Sequence, residues 1–293
     1  MSSLDLVRLQ DLMKLGQGNR EITVALIDGP VALNHPDLAA ANVRQISGKL
    51  RGACTRADSL ACLHGTFVAG VLSARRGSVA PAICPGCTLL LRPIFAETTS
   101  RNDQMPSANP EQLAEAVVES VDAGARVINL SSALIRPSPK GECQLKEALN
   151  HAAQRGAITV AAAGNQGNVG SSVITRHPWV IPVAACDLQG KPLRISNLGR
   201  SIGRGLSAPG ENITSLGTNG KPQTFGGTSA AAPFVTGTIA LLWSRFTSVT
   251  PAQMRLAITQ TGLARRGAIV PPVLDAWAVY QTLASSHVEK RSS

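Results

Sequence analysis

Three side chains in this sequence have the types needed to share one reaction: the carboxylate of Asp28, the imidazole of His64 and the hydroxyl of Ser229. A hydroxyl is a poor nucleophile until a base takes its proton, and a neutral imidazole is a suitable base at neutral pH. The imidazole in turn needs a carboxylate to hold its tautomer and stabilise the imidazolium as it forms. Each residue also has a plain structural use. Asp28 before Gly29 suits a turn, His64 suits a helix start, and Ser229 suits an N-cap. The stretch GGTSAAAPFVTG, 226–237, favours chemistry. Gly226 and Gly227 leave room for another backbone to approach. Three alanines and Pro233 let the following helix pack deeply, with its positive end at the hydroxyl. A cap needs none of this. Asn165, in AAAGNQG at 161–167, taken alone reads as a loop residue in left-handed conformation after a buried strand. His35, His151 and His177 have no such partners and read as structural or solvated.

The elements that must position these groups alternate. ITVALI (22–27), TLLLRPIF (88–95), ARVINL (125–130), AITVAAA (157–163) and WVIPVAA (179–185) read as strands. Helical segments are HGTFVAGVLSAR (64–75), NPEQLAEAVVESVDAG (109–124), GECQLKEALNHAAQRG (141–156), TSAAAPFVTGTIALLWSRF (228–246) and TPAQMRLAITQTG (250–262). Continuous apolar strands separated by helices predict an α/β fold, a parallel twisted sheet covered by helices on both faces. Asp28 then falls at a strand's carboxyl end and His64 and Ser229 at helix starts, where open α/β sheets hold ligands. The stretches 97–110 and 131–142 read as exposed loops. One domain over 1–285 is expected, with a helical lead-in at 1–20 and a disordered tail at 286–293.

Composition agrees with a compact enzyme. Of 293 residues, 44% are hydrophobic and 16% charged, with 27 Gly and 18 Pro for tight turns. The net charge of +10 reads first as a solubility feature, with attraction to an acidic peptide as the lesser alternative. Nucleic acid is disfavoured because only 3% of residues are aromatic and the basic residues are scattered. Apolar runs are strand-sized, so no membrane span is expected. The N-terminus lacks a basic head followed by an apolar core, and six cysteines in a chain this long do not force a disulfide framework. Together these predict a cytoplasmic protein. Oligomeric state cannot be read from the sequence.

VALIDGPVALNHPDL (24–38), HGTFVAGVLSA (64–74), AAAGNQG and GGTSAAAPFVTG resemble, in order, the four signature segments of subtilisin-like serine proteases, the peptidase S8 family. The resemblance runs from about residue 20 to residue 262. It implies a catalytic triad in which Asp28 orients, His64 is general base and acid, and Ser229 attacks the carbonyl, with Asn165 in the oxyanion hole. It also implies a substrate-binding wall at Ser131, Ser132, Ala133 and Leu134, with Gly164 and Gly227 lining the cleft. SSAL replaces the family's usual Ser-Leu-Gly-Gly, so that wall is bulkier. Asp37 matches a position that helps bind calcium in many relatives, but the stretch from His64 to Pro81 is shorter and carries no acid. No metal or cofactor is therefore expected.

Only about twenty residues precede the first strand, too few for a folding pro-segment. This trimmed plan resembles the intracellular proteases of ribosomal peptide maturation, such as those of cyanobactin pathways, which remove a leader from a precursor peptide. DGPV at 28–31 and PIF at 93–95 are similar to that subgroup. Three alternatives stay open: a macrocyclase using the same acyl-enzyme, a general intracellular protease, and an inactive peptide-binding scaffold. CPGC (84–87) with Cys54 and Cys62 raises a zinc or disulfide reading, but reduced, partly buried thiols are expected. Cys62, two residues before His64, would make activity sensitive to oxidation.

Overall fold

The computed structural model describes residues 1–46, 50–97, 108–131, 138–260 and 268–289. Strands β1 (Thr23–Asp28), β2 (Asn42–Gln45), β3 (Thr88–Pro93), β4 (Val127–Leu130), β5 (Ile158–Ala162), β6 (Ile181–Cys186) and β7 (Leu206–Pro209) form one sheet in the order β2-β3-β1-β4-β5-β6-β7. Every pairing is parallel. The predicted α/β architecture is what the chain adopts. Its expected strands are present, with ends shifted by one or two residues.

The order of strands explains where a ligand fits. From β1 the chain passes to the edge strand β2, returns to β3 beside β1, then crosses to β4 on the other side. A crevice opens where that reversal occurs, beyond the carboxyl ends of β1 and β4. Those ends deliver Asp28 and Ser131.

Alternation within each strand assigns residues to faces. In β1, Val24 and Leu26 join the larger apolar cluster, with α3 (Leu60–Ser73) and α7 (Thr228–Arg245). Ala25 and Ile27 join a second cluster with α4 (Pro110–Asp122) and α5 (Pro139–Gln154) on the opposite face. Asp28 has the parity of Val24 and Leu26, so it points toward α3 and α7. These are the helices that carry His64 and Ser229.

α4 starts at an Asn109 cap with a reciprocal Gln112 bond and is followed by Gly124 at φ 90°. α7 is apolar on every side. Thirteen of its residues run without interruption from Ala230 to Leu242 with every one buried, so the helix lies inside the molecule.

Several readings need correction. The helix of His64 begins at Leu60, after Ser59, so His64 stands in its second turn and not at its start. The N-terminal helix is two short pieces, α1 (Ser3–Leu6) and α2 (Leu9–Lys14), broken where Arg8 takes φ 50°. The tail expected to be disordered from 286 continues as helix α9 (Ala276–Glu289) through Glu289. Elements not foreseen are β2, β7, the antiparallel pair β8 (Ile213–Leu216) and β9 (Pro222–Phe225), α6 (Val173–Arg176) and α9. α8 (Pro251–Gln260) matches the expected helix, whose end at Gly262 lies outside the described residues. Parts of both expected loops, 98–107 and 132–137, also lie outside them. Ala108 and Ser131, at their edges, are buried rather than exposed.

Candidate active site

Asp28 ends β1 and is fully buried. Its Oδ1 lies 2.6 Å from Nδ1 of His64 and also accepts the N–H of Gly29 at 2.6 Å. With an acceptor at Nδ1, the ring carries its proton there and leaves Nε2 free to act as a base. This distance requires β1 and α3 to approach backbone to backbone. A methyl group at Gly29 would run into the carbonyl oxygen of Ala61, and one at Gly65 into the carbonyls of Gly29 and Pro30. Two glycines at the crossing are the local cause of the contact.

The strand before Ser229 sits against the same histidine. Phe225 closes β9, and its ring centroid lies 5.9 Å from that of His64 and 5.1 Å from that of Phe67. Four residues later comes Ser229, half-buried as the second residue of α7. Gly227 caps this helix at φ 98°, a conformation that favours glycine, and its N–H donates to Gly210 O at 2.7 Å. Pro233, four residues beyond Ser229, removes the N–H that would otherwise bond the Ser229 carbonyl.

Asn165 is exposed on the turn after β5. Its Oδ1 accepts the N–H and the O–H of Thr228, both at 2.9 Å, and the Thr228 hydroxyl itself accepts the Gly164 N–H at 3.1 Å. Fixing Oδ1 in this way leaves the two Nδ2 protons of Asn165 for the cleft. That Nδ2 lies 2.7 Å from where a Cβ on Gly227 would stand, so the amide lies directly over the backbone leading into Ser229. A side-chain donor and a helix N-terminus thus face one spot, the arrangement that stabilises an oxyanion.

Of the residues expected in the site, Asp28 and His64 are in direct contact. Asn165, Gly164 and Gly227 meet around Thr228, next to Ser229, and the ring of Phe225, four residues before Ser229, lies against His64. Ser131 is buried, directly after Leu130, which pairs with Ile27. Ser132, Ala133 and Leu134 lie outside the described residues. Phe225 and Thr228 were missed; Thr228 was in view within GGTS, but its role depends on a partner 63 positions away.

The other candidates are elsewhere. His35 accepts the Asp37 N–H at 3.1 Å, His151 lies 3.2 Å from Asp122, and His177 bonds Asn150 at 3.0 Å. The Asp37 carboxylate is paired with Arg75 at 2.9 Å. A cavity of about 730 Å³ between α4 and α5, lined by Glu111, Glu115, Glu119 and Glu147, shares no residue with the site.

The cysteines require a second correction. Cys54 and Cys62 form a disulfide across eight positions, not a pair of thiols, and Cys84 and Cys87 are free and buried apart from them. No four-sulfur zinc site is assembled from these residues. Glu97 completes a possible three-ligand group with Cys54 and Cys62, but the two sulfurs bond each other. The Glu97 carboxylate instead accepts the N–H groups of Thr55 and Arg56 at 2.9 and 2.8 Å. Thr218 Oγ1 donates to Ala57 O at 2.5 Å. The loop before His64 is therefore held at three places.

Among sequence families, the model of the subtilase family, peptidase S8, matches residues 19–287. The chain belongs to the subtilase family. A thermostable alkaline protease of Halalkalibacterium halodurans is 32% identical to this subtilase over 84% of the chain and 62% of its own length. The chain thus spans about three-fifths of that relative. A single-residue mutant of the protease domain of PatA superposes with a TM-score of 0.83 at 30% identity, covering 92% of this chain and 98% of its own. The prenylagaramide maturation protease PagA gives 0.80 at 27% identity, covering 94% and 98%. The PatG macrocyclase in complex with peptide, at 21% identity and a TM-score of 0.79, covers 94% and 95% and shares the fold. None of the helices in the described residues is long and apolar enough to cross a membrane.

Proposed function

We propose that this subtilase is a serine endopeptidase that cleaves peptide bonds through an acyl-enzyme on Ser229, and that its substrate is a precursor peptide from which it removes a leader. The observation that carries the reading is the buried 2.6 Å contact between Asp28 and His64 on the sheet face that α7 shares. Nε2 of His64 takes the Ser229 proton as the hydroxyl attacks, and the oxyanion develops toward Asn165 Nδ2 and the Ser229 N–H. His64 then passes the proton to the leaving amine, and water repeats the cycle to release the acid. Ser131 to Leu134 would pair with the acyl side of the peptide.

The precursor assignment draws on likeness to PatA and PagA, the latter described as a maturation protease. The net charge of +10 adds attraction for an acidic peptide. The decisive experiment has two arms. A fluorophosphonate probe should label the wild type and not Ser229→Ala. Products from a precursor peptide, weighed by mass spectrometry, should gain one water per cut; products lacking that water would indicate ring closure, and no labelling would indicate a binding scaffold.

The proposal keeps the cytoplasm as the place of action. The Cys54–Cys62 disulfide pulls the other way, because such bonds persist where thiol buffers are oxidising. Trapping free thiols in fractionated cells decides the point.

A further inference from the structure

β4 carries one polar residue among Val127, Ile128 and Leu130: Asn129, fully buried in a central strand. It pairs in register with Leu26 on one side and Val160 on the other, and its parity with Val127 turns it toward α7. There Thr236, also fully buried, donates its hydroxyl to Asn129 Oδ1 at 2.8 Å. Asn129 Nδ2 donates onward to Ser131 Oγ at 2.7 Å, where Ser131 is 4% exposed. A buried amide in a strand is costly unless both its ends are bonded. Here the two bonds lead in one direction, from the middle of α7 to the first residue past β4.

Thr236 lies seven positions after Ser229, two turns down the same helix, so both face the same side of α7. One helix therefore presents Ser229 and, through Asn129, holds Ser131. We infer that Thr236 and Asn129 are positioning residues that fix Ser131, the first of the proposed substrate-pairing residues, relative to Ser229, and so set how well an extended peptide is aligned for attack. The inference rests on the proposed protease reading, in which residues 131–134 line the acyl side of the substrate.

The experiment compares two reagents on the full chain. A fluorophosphonate reports the nucleophile without needing the segment, whereas an extended peptide needs both. Thr236→Val keeps the shape and removes the donor; Thr236→Ala is the second variant should burial of the orphaned amide impair folding. For either, KM for the peptide should rise about three- to tenfold, the range set by one hydrogen bond. The kcat and the rate of probe labelling should stay within about twofold of wild type. Thr236→Ser, which restores the hydroxyl, should return KM to the wild-type value. Equal losses in probe labelling and peptide cleavage would reduce Thr236 to a packing role and overturn the inference, as would an unchanged KM. Failure of the wild type itself to take the probe would instead sink the protease reading.

Discussion

Thr228 donates both its N–H and its O–H to one atom, Oδ1 of Asn165, each at 2.9 Å. The neighbour of the nucleophile thereby dictates which way the Asn165 amide faces. Asn165→Ala should lower kcat by about 10²- to 10³-fold with little change in KM, as expected for a donor used only in the transition state. Thr228→Val keeps the amide but frees it to rotate, and should cost a smaller fraction of the same loss. Steady-state kinetics on one peptide for both variants checks the order.

Asp28→Asn should lower kcat by about 10⁴-fold. The cause is the tautomer: an amide N–H facing Nδ1 forces the proton onto Nε2, where the base must be free. Thermal unfolding of the variant should show that the fold survives, and a loss of less than tenfold would refute the assigned role.

Gly29→Ala should destabilise the protein by about 1–3 kcal/mol and remove activity together. The added methyl group meets the Ala61 carbonyl and pushes α3 away from β1. Urea unfolding gives the first quantity and probe labelling the second.

Reduction of Cys54–Cys62, or their joint replacement by serine, should cost about 2–3 kcal/mol for a loop of this size. Because the loop leads directly into the helix of His64, activity should fall on reduction. The expected sign is opposite to that of a thiol enzyme protected by reductant. Denaturation with and without a phosphine reductant measures the stability, and peptide cleavage measures the rest.

His177 gives a pH dependence. Burial, with Lys146, Arg255 and Arg204 nearby, pushes its pKa below the ordinary 6.5. Its Nδ1 also accepts the Trp179 N–H at 3.3 Å, a bond a protonated ring cannot make. The unfolded chain therefore binds the proton more readily than the native one. The contribution of His177 is whole above pH 6.5 and is lost as the pH falls toward the depressed native value. His177→Gln should flatten that limb of the stability profile.

What could be read from sequence follows where information is local. ITVALI and the mostly apolar α7 announce burial by composition alone, and the four motifs carry the reacting groups. β7 is only LSAP, buried because neighbours cover it rather than through any pattern of its own. β9, PQTF, has partly exposed residues, so the contact of Phe225 with His64 is invisible without coordinates. Three residues depart from their sequence reading for a related reason. His64 reads as a helix start when the segment is begun at HGTFVAG, whereas Ser59 precedes the observed first turn. Cys54 and Cys62 looked like thiols because spacing alone does not show that two chain segments meet.

The burial of α7 has a practical side. Its far end is tied where Trp243 Nε1 donates to Val249 O at 2.8 Å and the guanidinium of Arg126 covers the indole at 4.4 Å. A rod threaded through the centre of the molecule cannot fray alone, because opening it dissolves both layers around it. The hydroxyl at its tip is therefore either fully armed or absent with the whole fold. Residual turnover in a partly denatured sample counts intact molecules, and half-open forms should contribute nothing to it.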